Sequence, residues 1–213
     1  MISLRKRRAR LISEASRLGE LFHLHGRPTN CEGVIWCTGL LNHLWQAWCR
    51  FWRYYWIAHV QGGRSAGGSV IPGGFSGVTE AEAIYQMLVL LGKRRAGTYG
   101  AVYSSHQEAT WGDIQRIQDI ANALLSHHSN LAHVLSAASL HGQSISHLQL
   151  VRNSQVHPSH SGQTNMLSIV PHYLVRSSNL TPGELLYSQE IRSGRAAIAC
   201  WIDSIVAFAM MIY

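Results

Sequence analysis

His43-Leu44-Trp45-Gln46-Ala47-Trp48-Cys49-Arg50-Phe51-Trp52-Arg53-Tyr54-Tyr55-Trp56-Ile57-Ala58-His59-Val60 is the stretch that settles the fold class. Trp45, Trp48, Phe51, Trp52, Tyr55 and Trp56 recur at spacings of three and four, which winds them onto one side of an α-helix. The spacing suits a buried core stripe better than a base-stacking surface. His43, Gln46, Arg50, Arg53 and His59 are read as the polar side of the same helix. A helix facing lipid would not tolerate such a side, so residues 34–60 are read as amphipathic and not as a membrane span.

Working outward, apolar residues keep helical spacing almost everywhere, and alternating strand-like runs are scarce. The chain is therefore read as all-α, a helical bundle forming one domain over residues 1–213, with a flexible Gly-rich loop at about 61–78. A first helix is expected from Ser3 to about His25, closed by Gly26 and Pro28, and a second from about Cys31 to Val60, closed by Gly62-Gly63, the two pairing antiparallel. Between them and the next helix glycine supplies almost half the positions, so no regular element is expected there. Arg64 in that loop lacks the sequence pattern of a phosphate-binding loop.

Thr79 with Glu82 reads as a capping box opening a helix that reaches about Arg95 and ends at Gly97. A short extended piece is expected at 99–105. Helices follow from Thr110 to about Leu125, from Asn130 to Leu140 fading at Gly142, and from Gln143 to His157, which Pro158 breaks. Residues 166–175 read as a short helical piece interrupted by Pro171. Thr181-Pro182-Gly183-Glu184 is a second capping signature. The apolar tail at 196–213 would be roughly 27 Å long as a helix, just short of a bilayer core. Asp203 near its middle favours a core helix over a tail anchor.

Eighteen Lys and Arg against eleven Asp and Glu leave a charge of +7. Nearly all the cations are Arg, whose fork suits phosphate, so a polyanionic partner such as RNA is expected. The run Arg5-Lys6-Arg7-Arg8-Ala9-Arg10 reads as a solvated helix start or a nucleic-acid contact. Cys31, Cys37, Cys49 and Cys200 have no metal or disulfide spacing, which points to core thiols in a reducing, cytoplasmic setting. The amphipathic stretch at 11–24 is not the apolar region of a signal peptide. No membrane association is expected.

The sequence holds no zinc-protease motif, nucleotide loop, nucleophile elbow or acidic pair for two magnesium ions, so no metal or cofactor is expected. Histidine and arginine are the abundant reactive side chains, and they are the ones metal-free RNA cleavage needs: a base for the ribose 2′-hydroxyl, an acid for the leaving oxygen and a cation for the phosphate. Three Arg-to-His pairs have a spacing of four to six intervening residues: Arg17 to His23, Arg53 to His59, and Arg152 to His157. Leu18 and Tyr54 follow the first two arginines. A polar residue, Asn153, follows the third.

Arg152-Asn153-Ser154-Gln155-Val156-His157, ending at Pro158, resembles the ribonuclease motif of HEPN domains, which lies near the end of a helix in a helical bundle. The resemblance implies a metal-independent endoribonuclease of a prokaryotic toxin–antitoxin or defence system; the plainer reading of Arg152 and His157 is an exposed helix end with its cations against the carbonyl-terminal dipole. It assigns Arg152 to the phosphate, His157 to proton transfer and Asn153 to orientation. A homodimer is implied, because a five-residue offset sets Arg152 and His157 about 140° apart around one helix. An antitoxin or defence-complex protein is the further partner implied. His160 and Arg53 are candidate substrate contacts, Arg53 otherwise pairing with a buried carboxylate such as Asp203. His127, His128 and His172 are read as solvated or hydrogen-bonded histidines. The alternative function is a non-catalytic basic helical module that binds nucleic acid or assembles a complex.

Overall fold

The computed structural model describes residues 2–75, 77–92, 110–126, 128–175 and 180–212. Of these, 71% are helical, and the strands are two residues long, so the chain is all-α in class. The expected extended piece at 99–105 and His127 lie outside the described residues. Two compact units emerge: Met1–Leu11, Trp48–Leu140 and Phe208–Tyr213 form the first, and Ile12–Ala47 with His141–Ala207 the second. Helices α1 (Leu4–His25), α2 (Cys31–Gln61), α5 (Asn130–Val156) and α8 (Ala197–Met211) contribute residues to both.

In the first unit the aromatic stripe is core. Trp48, Phe51, Trp52, Tyr55 and Trp56 are all buried, and Trp52 meets Trp48, Tyr55, Trp56 and Phe208 with ring centroids 5.1–5.5 Å apart. His59 departs from the expected polar side: it is only 4% exposed and its ring lies 4.4 Å from that of Tyr55. Its position one turn beyond Tyr55 carries it to the apolar side, and a backbone carbonyl satisfies one ring nitrogen there. The indole N–H of Trp48 donates to the Gly112 carbonyl at 2.9 Å. A Cβ at Gly112 would stand 2.5 Å from Trp48, so this contact requires glycine.

The Gly-rich stretch is more ordered than its composition suggests. Strand β2 (Gly63–Arg64) pairs antiparallel with β3 (Val70–Ile71) and parallel with β1 (Ile2–Ser3). The Ser65 hydroxyl accepts from Ser69 N–H at 3.0 Å, which closes the hairpin, and Phe75 N–H donates to Val60 at 2.9 Å. Side-chain and backbone hydrogen bonds thus replace the packing that glycine cannot supply. Helix α3 (Glu80–Leu90) opens with the expected Thr79–Glu82 capping box but stops early, as Gly92 adopts φ 66°. A left-handed residue just past the last turn is the usual helix terminator. Asp113 caps α4 (Ile114–Leu124), accepting from Arg116 N–H at 3.0 Å.

In the second unit α1 and α2 run antiparallel, as expected: Glu14 faces His43 and His25 stacks on Trp36. The two helices expected at 130–157 are one. Gly142 is buried inside α5, and tertiary burial around it outweighs the roughly 1 kcal/mol that glycine costs a helix interior. Helix α6 (His160–Leu167) leads into a 3-10 turn at Val170–His172 and then β4 (Tyr173–Leu174), which pairs antiparallel with β5 (Gln189–Glu190). The short helix expected at 166–175 is thereby split, since Pro171 removes a backbone donor.

Helix α7 (Pro182–Leu186) carries the predicted capping box: Thr181 accepts from Glu184 N–H at 3.2 Å, and Glu184 accepts from Thr181 N–H at 2.9 Å. Thr181→Ala is expected to lower stability by about 1 kcal/mol in urea unfolding. Serine at the same position should restore most of it. In α8, Trp201, Ile205, Phe208 and Ala209 are fully buried, which makes the tail a core helix. Asp203 is exposed and bonds Arg195 at 2.6 Å. No helix among the described residues is long and apolar enough to cross a membrane.

Candidate functional site

The second unit contains the C-terminal end of α5, where the motif residues lie. Arg152 is half-buried, and its Nε and Nη2 both donate to the Asn42 side-chain oxygen, at 3.0 and 2.8 Å. Nη1 donates to the Asn153 side-chain oxygen at 3.1 Å. Two amide oxygens therefore hold the plane of the guanidinium, and Asn153 orients Arg152 directly. Ser154 turns inward, its hydroxyl bonded to the Val151 carbonyl at 2.7 Å and near Met166 Sδ at 3.4 Å.

The helix ends at Val156, so His157 sits in the turn that Pro158 completes and is exposed. Its N–H still donates to the Asn153 carbonyl at 2.9 Å. Ser159 caps α6, and His160 is the exposed first residue of that helix. Neither imidazole bonds Arg152. Both Arg152 and His157 lie where the carbonyl end of a 27-residue helix favours positive charge.

Arg53 belongs to the first unit. It pairs with Glu80, the first residue of α3, and not with Asp203. The reason is local: α3 begins beside α2, whereas Asp203 points to solvent against Arg195. Along the N-terminal basic run Arg5, Lys6 and Arg10 are exposed, while the Arg7 guanidinium lies 3.7 Å from the centre of the Tyr54 ring and Arg8 donates to the Ile212 carbonyl at 3.4 Å. Family models, curated protein sequences and solved structures were all compared with this chain, and none matches. The assignment of roles therefore rests on the geometry and chemistry of the side chains.

A second polar cluster in this unit has no counterpart in the sequence motifs. Trp201 Nε1–H donates to the Tyr173 hydroxyl at 2.9 Å, and that hydroxyl lies 2.7 Å from His147 Nδ1. The His172 ring centroid is 4.9 Å from that of His147, so His172 is neither simply solvated nor isolated. Burial, and then the neighbouring His172, push the His147 pKa down to about 4. In the first unit His59 is likewise lowered to about 4 by burial, its Nδ1–H donating to the Tyr55 carbonyl at 2.8 Å. His128 Nδ1 accepts from Asn130 N–H at 3.1 Å.

Among the described residues no group of three His, Cys, Asp or Glu side chains is arranged to hold a metal ion. None of the four cysteines is in a disulfide among the described residues, and Cys31 is exposed where a core thiol was expected. Asn42 was not legible beforehand, because it lies 110 positions from Arg152 and belongs to no motif.

Proposed function

We propose that this chain is a metal-independent RNA endonuclease of the HEPN type, working as a homodimer in a prokaryotic defence or toxin–antitoxin system. The observation that carries the reading is the fixed Arg152 guanidinium, held by Asn42 and Asn153 one turn before the exposed His157. A guanidinium set in this way meets phosphate without first losing side-chain freedom. The reaction is attack of a ribose 2′-oxygen on the adjacent phosphorus, with loss of the 5′-oxygen and formation of a 2′,3′-cyclic phosphate. Arg152 stabilises charge on the phosphate, and His157 transfers a proton to or from the reacting oxygens. A second copy supplies the convergence that one helix end does not, and an antitoxin or other defence protein restrains the activity.

His157→Ala is expected to lower cleavage of a mixed-sequence RNA at least a hundredfold with chelator present, while the thermal midpoint stays within experimental scatter. Arg152→Ala removes cleavage too, but strands the Asn42 oxygen and lowers stability; Arg152→Lys keeps the charge and separates the two effects. Cleavage at the parental rate by His157→Ala and Arg152→Lys would refute the proposal. A second reading, a non-catalytic nucleic-acid-binding module, draws on the exposed Arg5, Lys6 and Arg10. It is favoured by RNA affinity that falls steeply with salt and by no turnover in the parental protein.

A further inference from the structure

A cavity of about 180 Å³ opens in the second unit beside the His147 relay, lined by Gln143, Ser144, His147, Pro171, His172, Glu190, Ile191 and Arg192. Helix α5 forms one wall, the 3-10 turn at Val170–His172 another, and the end of β5 with the turn after it the third. Six of these residues bring polar side chains into a space that would hold a phosphate group and a few waters, at roughly 30 Å³ per water.

The relay decides what His147 offers to the cavity. An indole N–H only donates, so it uses a lone pair of the Tyr173 oxygen. The Tyr173 hydroxyl donates its own hydrogen to His147 Nδ1 when that nitrogen is bare, and this neutral tautomer is the one that uses the buried hydroxyl both as donor and as acceptor. The imidazole hydrogen is left on Nε2. His147 is only 7% exposed, and among the described residues no hydrogen bond joins Nε2 to another group, so in this tautomer Nε2–H is available to whatever occupies the cavity. Protonating Nδ1 instead would take from Tyr173 its buried acceptor, so the donor is locked in place.

Arg192 adds a guanidinium that no carboxylate occupies among the described residues, and Ser144 adds a hydroxyl. One N–H donor, a hydroxyl and a guanidinium lining the same small space are groups that suit an oxyanion. Glu190 also faces the cavity and repels a fully ionised anion. It accepts a hydrogen bond, however, from an oxyanion that keeps a proton. Inorganic phosphate keeps one near neutral pH, a monoester keeps one in only part of its population because its second pKa is about 6, and sulfate keeps none.

We infer that this cavity is a binding site for a protonated phosphate group, with His147 Nε2–H, Ser144 and Arg192 donating to its oxygens and Glu190 accepting from its P–OH. The site is separate from Arg152 and His157 and does not depend on their role. Free phosphate and the terminal phosphate of a nucleotide share this chemistry.

Titration of the full-length protein with inorganic phosphate, with sodium sulfate at equal ionic strength, and with adenosine 3′-monophosphate tests the inference. Histidine ring nitrogens are followed by NMR. Phosphate or the nucleotide is expected to bind saturably and at least tenfold more tightly than sulfate, shifting His147 and His172. Tighter binding of the nucleotide identifies a nucleotide terminus as the source, and equal binding identifies free phosphate. Arg192→Ala is expected to weaken binding at least tenfold, and because Arg192 is exposed its thermal midpoint should not move. No saturable binding, sulfate binding as tight as phosphate, an unchanged affinity in Arg192→Ala, or a His147 signal from the Nδ1–H form would each overturn it.

Discussion

Trp52→Ala is expected to lower stability by about 3–5 kcal/mol, the usual range for emptying a large aromatic from a core. Trp52 is fully buried and meets Trp48, Phe51, Tyr55, Trp56 and Phe208 at ring-centroid distances of 5.1–5.7 Å. Removing it takes away one partner from every other ring in that cluster, and such losses are a large share of a typical domain's stability. Trp52→Phe is expected to cost less than half as much. The Trp52 indole N–H is buried with no hydrogen-bond partner among the described residues, and removing it relieves a burial cost of about 1–3 kcal/mol that partly offsets the lost volume. Urea unfolding with an unchanged slope checks both variants. Equal losses for Phe and Ala would show that the volume of a ring contributes nothing at this position.

Acidification from pH 6.5 to 5 is expected to destabilise the chain by a few kcal/mol, before most carboxylates titrate. His59 and His147 both have folded pKa values lowered to about 4, against 6.5 for an unperturbed imidazole. Below pH 6.5 the unfolded chain binds protons at these rings that the folded chain refuses, so stability falls as pH drops and levels off near pH 4. The full contribution of His59 is roughly 3 kcal/mol over that window, at about 1.4 kcal/mol per pH unit. The physical cause is specific in each case. His59 uses Nδ1–H on the Tyr55 carbonyl, and a proton on its buried Nε2 would find no acceptor. His147 is held neutral by burial and then by the neighbouring His172. Replacing either with Gln should flatten the stability profile between pH 5 and 6.5. A profile as steep in the double variant as in the parent would show that other groups set the acid sensitivity.

Local signals in the chain specified a great deal. The Thr79–Glu82 and Thr181–Glu184 boxes, the stop after His25 and the core role of the Trp45 to Trp56 stripe all follow from residues within a turn or two of one another. Where the reading went astray, a nonlocal term had won. Gly142 did not interrupt α5, because burial along the helix outweighed glycine's intrinsic cost. The Gly-rich stretch at 61–78 gained a hairpin because Ile2–Ser3 supplied a neighbouring strand from the far end of α1. His59, grouped with the polar residues of α2, went into the core, where its ring meets that of His128 from a distant part of the chain at 5.4 Å.

The motif residues divide in the same way. That Arg152 is followed by Asn153, and that the helix ends before His157, was decided by the amino-acid order and by the proline at 158. That Arg152 is fixed by Asn42, that His147 meets the Tyr173 hydroxyl, and that Glu190 and Arg192 share a cavity with it were decided only by the tertiary structure. Helix periodicity and capping are energies between residues a few positions apart, so the sequence displays them directly. Side-chain hydrogen bonds and cavities join residues brought together by burial of distant apolar faces, and no short pattern in the chain records which ones will meet.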